Sequence, residues 1–167
     1  LFTNTFYHTV DMDTIINCCL VEVARSQVIL LVGAIALQAA KYDHIDFVPP
    51  KAVQETARRG LELRRKQPKS KRGGLDVRQA SEEGIGSGVQ RAANLSSGKA
   101  VSPETVRRML AYFTRHQKDK DAPGWGDASN PSKGYQAWLL WGGSDGWNWS
   151  KKVVEQMNRA DEDVASY

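Results

Sequence analysis

The apolar positions of this chain fall into helical stripes separated by breaks rich in proline, glycine and charge, a pattern that predicts a mainly α fold. The clearest stripe follows Ser102, where Val106, Met109, Leu110 and Phe113 stand at i, i+3, i+4 and i+7. Ser102 suits the N-cap, Pro103 the first helical position, and Glu104 the positive helix end. The opposite side carries Arg107, Arg108, Arg115 and Lys118, so this helix has a basic face.

Residues 1–10 alternate loosely between apolar and polar and read as a short strand or extended arm. Asp11 or Asp13 then caps a long helix ending near Ala40, with an uninterrupted apolar run from Val28 to Leu37. A membrane span needs about 20 such residues, and extending this one backwards brings in Glu22 and Arg25. Burial, or a homo-oligomer contact through residues 14–40, is the expectation, and the pattern argues against membrane insertion.

Pro49 and Pro50 break that helix, and Pro50 suits the first position of the next, expected over Lys51 to Gln67 with Val53, Ala57, Leu61 and the Arg64 stem on one side. From Arg64 to Arg72 six of nine residues are basic, and Pro68, Gly73 and Gly74 make the end of this run an expected mobile cationic loop. Short helices are expected from Asp76 to Glu83 and from Gln90 to Leu95. The glycines between them, Gly84, Gly86 and Gly88, lack the preceding strand and following Lys-Ser of a phosphate loop, so close helix packing is the reading. Beyond a polar loop anchored by Trp125, a helix is expected from Gly134 to Trp141, closed by Gly142-Gly143. A final helix then presents Trp147, Trp149, Val153, Val154 and Met157, and Asp161 to Tyr167 reads as an acidic, frayed tail.

With 41 % hydrophobic and 25 % charged residues, the composition is that of a globular chain. Its net charge of +4 is unevenly laid out: residues 1–50 carry −3, residues 51–120 carry +10, and residues 121–167 carry −3. The cationic middle attracts polyanions, either nucleic acid or an acidic protein surface. Cys18 and Cys19 are adjacent and have no spaced partner, which fits a reducing compartment.

Candidate catalytic chemistry is sparse. His8, His44 and His116 show no metal-ligand spacing, and no nucleophile motif stands, so neither a metal nor a cofactor is expected. Trp125, Tyr135, Trp138, Trp141, Trp147 and Trp149 have the chemistry to stack a base or a sugar, yet their helical spacing argues that most fill a core. The cationic residues are the better candidates: Arg58, Arg59, Arg64, Arg65, Lys66, Lys69, Lys71, Arg72, Arg107, Arg108 and Arg115. They are suited to phosphate contacts without strong sequence reading.

From about Phe47 to Lys151 the order of motifs resembles a helical module associated with tailed-bacteriophage head-morphogenesis proteins, some linked to prohead proteases. The matching pieces are Pro49-Pro50-Lys-Ala-Val, Ala57-Arg-Arg-Gly-Leu-Glu-Leu-Arg, Ser102-Pro-Glu-Thr-Val-Arg-Arg-Met, Phe113-Thr-Arg-His116 and Ala137-Trp-Leu-Leu-Trp-Gly-Gly-Ser-Asp-Gly-Trp147. The protease portion has no counterpart here, so no catalytic residue carries over. The resemblance implies a phage origin and a place near capsid, genome or host machinery.

The resulting expectation is a compact multi-helix chain: an N-terminal arm and hydrophobic helix over 1–43, a basic helical domain over 44–160 and an acidic tail over 161–167. Its expected function is that of a non-enzymatic phage accessory protein binding nucleic acid through a basic helical face and loop, in the host cytoplasm or the virion. The alternative is a protein-binding module, either a virion structural component or an inhibitor of a host protein.

Overall fold

The computed structural model describes residues 41–82 and 86–165. The chain divides into two units, 1–43 and His44–Tyr167, and the architecture below is that of the second. The expected arm and the hydrophobic helix of residues 14–40, with the oligomer contact assigned to it, lie outside the described residues.

Regular structure among the described residues is helical, and the protein is mainly α. Six α-helices follow in order: α1 Lys51–Lys66, α2 Val77–Glu82, α3 Gly88–Ser96, α4 Pro103–Arg115, α5 Lys133–Leu140 and α6 Gly143–Ala165. Single 3-10 turns cover Lys69–Lys71 and Gln117–Asp121. Helix α1 is the hub, packed against α3, α5 and α6, while α4 lies along α6. The stripes of these helices meet in one core containing Val53, Ala57, Leu95, Val106, Met109, Phe113, Trp138, Leu140, Val153 and Met157. Each large side chain fully buried there contributes roughly 1.5–3 kcal/mol.

Side-chain caps start several helices. Ser87, Ser102 and Ser132 accept from the backbone N–H of Gln90, Thr105 and Tyr135. Ahead of α2, Asp76 accepts from the Gln79 N–H at 2.9 Å while the Gln79 side chain accepts from the Asp76 N–H at 3.1 Å, a reciprocal capping box.

Gly60 explains how α1 and α5 come so close. A Cβ there would lie 2.8 Å from the Leu139 carbonyl carbon and the Leu140 nitrogen, so only glycine allows this approach. Gly142 and Gly143 hold φ of 99° and 65°, the left-handed conformation that ends α5 and turns the chain into α6.

Several details depart from the sequence reading. Pro50 is the N-cap of α1 rather than its first residue, its carbonyl accepting from the Gln54 N–H at 3.1 Å. The buried side of α1 is Val53, Thr56, Ala57 and Gly60, with Leu61 only half-buried. On α4, Tyr112 is buried and Leu110 half-buried, because the Tyr112 ring stacks on Trp141 at 4.3 Å and 7°. Helix α6 continues through residues 161–165, which were expected to fray. Its buried stripe runs on from Trp149 through Val153 and Met157 to Ala160, and Asp161 pairs with Arg107 at 2.8 Å.

The cationic segment after α1 is pinned rather than mobile. Gln136 of α5, fully buried, accepts from the Gly73 N–H at 3.0 Å and donates to the carbonyls of Lys71 and Pro131 at 2.9 and 3.2 Å. Arg64 donates to the Gly73 carbonyl at 2.9 Å, and Arg72 to the Gln67 carbonyl at 3.0 Å.

Candidate nucleic-acid interface

A groove of about 820 Å³ opens between the start of α3, one side of α4 and the start of α5. Arg91, Arg108, Arg115 and Lys133 line it, with His116 and Asp119 at its α4 end. Asp119 is held against His116, its carboxylate 3.0 Å from Nδ1. Cations from three helices thus line one concavity, Arg108 among them also bridged by Glu104 and Asp119 lying against His116. Arg108 and Arg91 repel one another, and an oxyanion bound beside them relieves that repulsion.

Arg91 is the most constrained of these cations. Its Nη1 donates to Thr105 Oγ1 at 3.0 Å, and that hydroxyl in turn accepts from Ser102 Oγ at 3.0 Å. The N-cap of α4 therefore also positions a groove residue. The Arg91 guanidinium lies 5.3 Å from the Trp141 ring centroid, and its Nε is buried with no hydrogen-bond partner. Burial, and then the charge of Arg108, pull Arg91 below its ordinary pKa, with Glu104 opposing; it remains a cation at neutral pH.

The aromatic wall of the groove is a closed column. Tyr112 stacks on Trp141 on one side and packs against His116 at 4.5 Å and 30° on the other. Burial, reinforced by Asp119, raises the Tyr112 pKa, so the ring stays neutral. With Arg91 over Trp141 and His116 on Tyr112, the rings already serve one another, which leaves charge rather than base stacking as the chemistry of this groove.

The residues singled out from the sequence are distributed over several places. Arg58, Arg64, Arg65 and Arg72 line a second hollow of about 400 Å³ beside Leu61, Glu62 and Val89. Gly88 lines the groove and Val89 this hollow, so the two flank the start of α3, whose helix dipole adds a positive end. Arg64 and Arg72 are bound to backbone carbonyls, as is Arg58, which donates to the Ser96 carbonyl at 3.2 Å. Lys66, Lys69 and Lys71 are exposed at and beyond the end of α1.

Arg108 and Arg115 reach the groove, but Arg107 does not share it. The Arg107 guanidinium donates to Asn158 at 3.0 Å and Asp161 at 2.8 Å on α6. Arg108 also pairs with Glu104 at 2.6 Å, an exposed i,i+4 bridge. Arg59 lies on a third hollow, with Lys120, Trp125 and Trp138.

Arg91 and Lys133 were missed by counting basic runs, since each stands alone in sequence. A readable sign existed for Arg91: it lies three residues after Gly88 and four before Leu95, on the apolar stripe of α3, where a charge requires partners.

Among the described residues no His, Cys, Asp and Glu cluster has the make-up of a metal site, and no helix is long and apolar enough to cross a membrane. No known family, curated protein or solved structure matches the chain.

Proposed function

We propose that this protein binds nucleic acid through its phosphate backbone and has no catalytic activity of its own. The observation that supports this most is the convergence of Arg91, Arg108, Arg115 and Lys133 on one groove. Four cations neutralise several phosphates and release their counterions, the sequence-independent component of nucleic-acid affinity. The closed aromatic column offers no free ring for base readout, so contacts to the backbone prevail over contacts to bases. The second hollow and the exposed lysines at 66, 69 and 71 extend the cationic surface beyond the groove.

From the motif order of residues 47–151 alone we propose the setting of a phage accessory protein acting near the genome, in the host cytoplasm or the virion.

A gel-shift assay with generic duplex and single-stranded DNA at low salt tests this reading. Arg108→Ala with Arg115→Ala is expected to weaken binding, whereas Arg107→Ala leaves it unchanged because that guanidinium is turned toward α6. Absence of any shift at low salt, or equal losses from all three positions, rejects the groove. A stoichiometric protein partner captured in place of DNA favours the protein-binding alternative.

A further inference from the structure

The third hollow, about 290 Å³, has different chemistry from the groove. Its wall combines Trp125, Tyr135 and Trp138 with Arg59, Lys120 and the first turn of α6. The Lys120 ammonium sits 4.5 Å from the Trp138 ring centroid and 4.8 Å from that of Trp147. Those two indoles meet at 81° with centroids 5.9 Å apart, and Trp125 meets Trp138 at 68° and 5.5 Å. A cation in the corner between perpendicular rings is attracted by both electron-rich faces.

Trp138 is buried, whereas Trp125, Tyr135 and Trp147 are only half-buried. The partly exposed rings are therefore not fully used as core. Lys120 belongs to the short 3-10 turn after α4, a flexible four-carbon stem carrying its ammonium into the corner.

We propose that this hollow is a binding site for a small zwitterion carrying a trimethylammonium group and a carboxylate, with Lys120 as the tethered occupant that such a ligand displaces. The exchange leaves the cation count of the corner unchanged, so Arg59 adds no new repulsion against the incoming cation. A quaternary ammonium gives up less hydration than a primary ammonium on entering an aromatic corner, so it competes well with Lys120. The ligand's anionic end then has Arg59 and the positive end of α6, marked by Gly143 and Ser144, on the same wall. Asp145 also lines this wall, its carboxylate accepting from Thr56 Oγ1 at 3.4 Å; it sets the anion's place toward Arg59 rather than toward itself.

Isothermal titration of the full chain with glycine betaine, choline and 3,3-dimethylbutanoate tests this proposal. The last is the carbon isostere of glycine betaine and lacks its positive charge. Glycine betaine is expected to bind more tightly than choline, and the isostere to bind at least about tenfold more weakly than glycine betaine, since ring attraction acts on charge. Lys120→Ala removes the competitor and is expected to tighten glycine betaine binding by about tenfold, while Lys120→Arg keeps a tethered cation and stays close to the parent protein. Unchanged thermal unfolding shows that each variant is folded. Equal affinity for the isostere, no gain in Lys120→Ala, or no heat with glycine betaine even in that variant overturns the proposal. None of these outcomes depends on whether the protein binds nucleic acid.

Discussion

Gln136→Met is the perturbation that most sharply separates packing from hydrogen bonding in this fold. Methionine nearly matches glutamine in shape, so the change leaves the volume of α5 almost intact while deleting one acceptor and two donors. Three bonds are lost: from the Gly73 N–H, and to the Lys71 and Pro131 carbonyls. At about 1 kcal/mol net for each, with Gly73 left buried and unpaired, the expected destabilisation is about 3 kcal/mol. Unfolding entropy near 2.1 cal/mol/K per residue over the His44–Tyr167 unit translates this into a fall in Tm of roughly 11 °C. Thermal unfolding followed by circular dichroism measures the loss, and amide exchange locates it, because the Gly73 N–H is expected to lose protection before the core of α4 does. A loss under about 0.5 kcal/mol with Gly73 exchange unchanged would refute the view that Gln136 pins the cationic segment.

Three further outcomes follow from the packing and ionic contacts. Gly60→Ala gains up to about 1 kcal/mol of helix propensity, but its Cβ presses on the α5 backbone, so chemical denaturation is expected to show a net loss of about 1–2 kcal/mol; a stabilised variant would refute the close approach. For Arg107 and Asp161, with side chains 40 % and 36 % exposed, a double-mutant cycle to alanine is expected to give a coupling under about 1 kcal/mol that shrinks with salt; zero coupling at low salt would refute a stabilising pair between α4 and the end of α6. Tyr112, whose ionisation is suppressed by burial, stabilises the folded state fully below its ordinary value of 10.0, and this contribution is lost as pH rises above it toward the higher folded value. Absorbance of the phenolate, compared between the protein and Tyr112→Phe, is expected to show no Tyr112 ionisation at pH 10 while the protein stays folded.

How much of this was legible in the sequence depended on whether the physics was local. The cap at Ser102 and the turn at Gly142-Gly143 are decided within a few residues, and the expected local structure is the observed one. Trp125 packs on Tyr135 at 5.3 Å, as a tryptophan in a polar loop should. What was not legible depends on distant partners. The basic face of α4 splits because Arg107 finds Asp161, fifty-four residues away, and the acidic end of α6 stays helical where its buried stripe reaches Ala160 and Asp161 takes that partner. Gln136 reads as one more polar residue, yet it holds the chain from Lys71 to Gly73. The candidate site likewise mixes what charge runs reveal, Arg108 and Arg115, with Arg91 and Lys133, which only the fold brings beside them.

If the groove binds nucleic acid through phosphate contacts, DNA affinity falls with salt by an amount set by the number of groove cations. Fluorescence anisotropy with a generic labelled duplex at about 50 and about 200 mM salt gives the slope of log K against log salt. Four groove cations alone set an expected slope of about −3.6, a roughly 150-fold loss between the two conditions, and contacts from the exposed lysines at 66, 69 and 71 steepen it. Arg108→Ala, Arg115→Ala and Lys133→Ala combined are expected to make that slope shallower by about 2.7. A duplex that fails to bind at the lower salt, or a triple variant with the parent slope, would contradict phosphate binding by the groove.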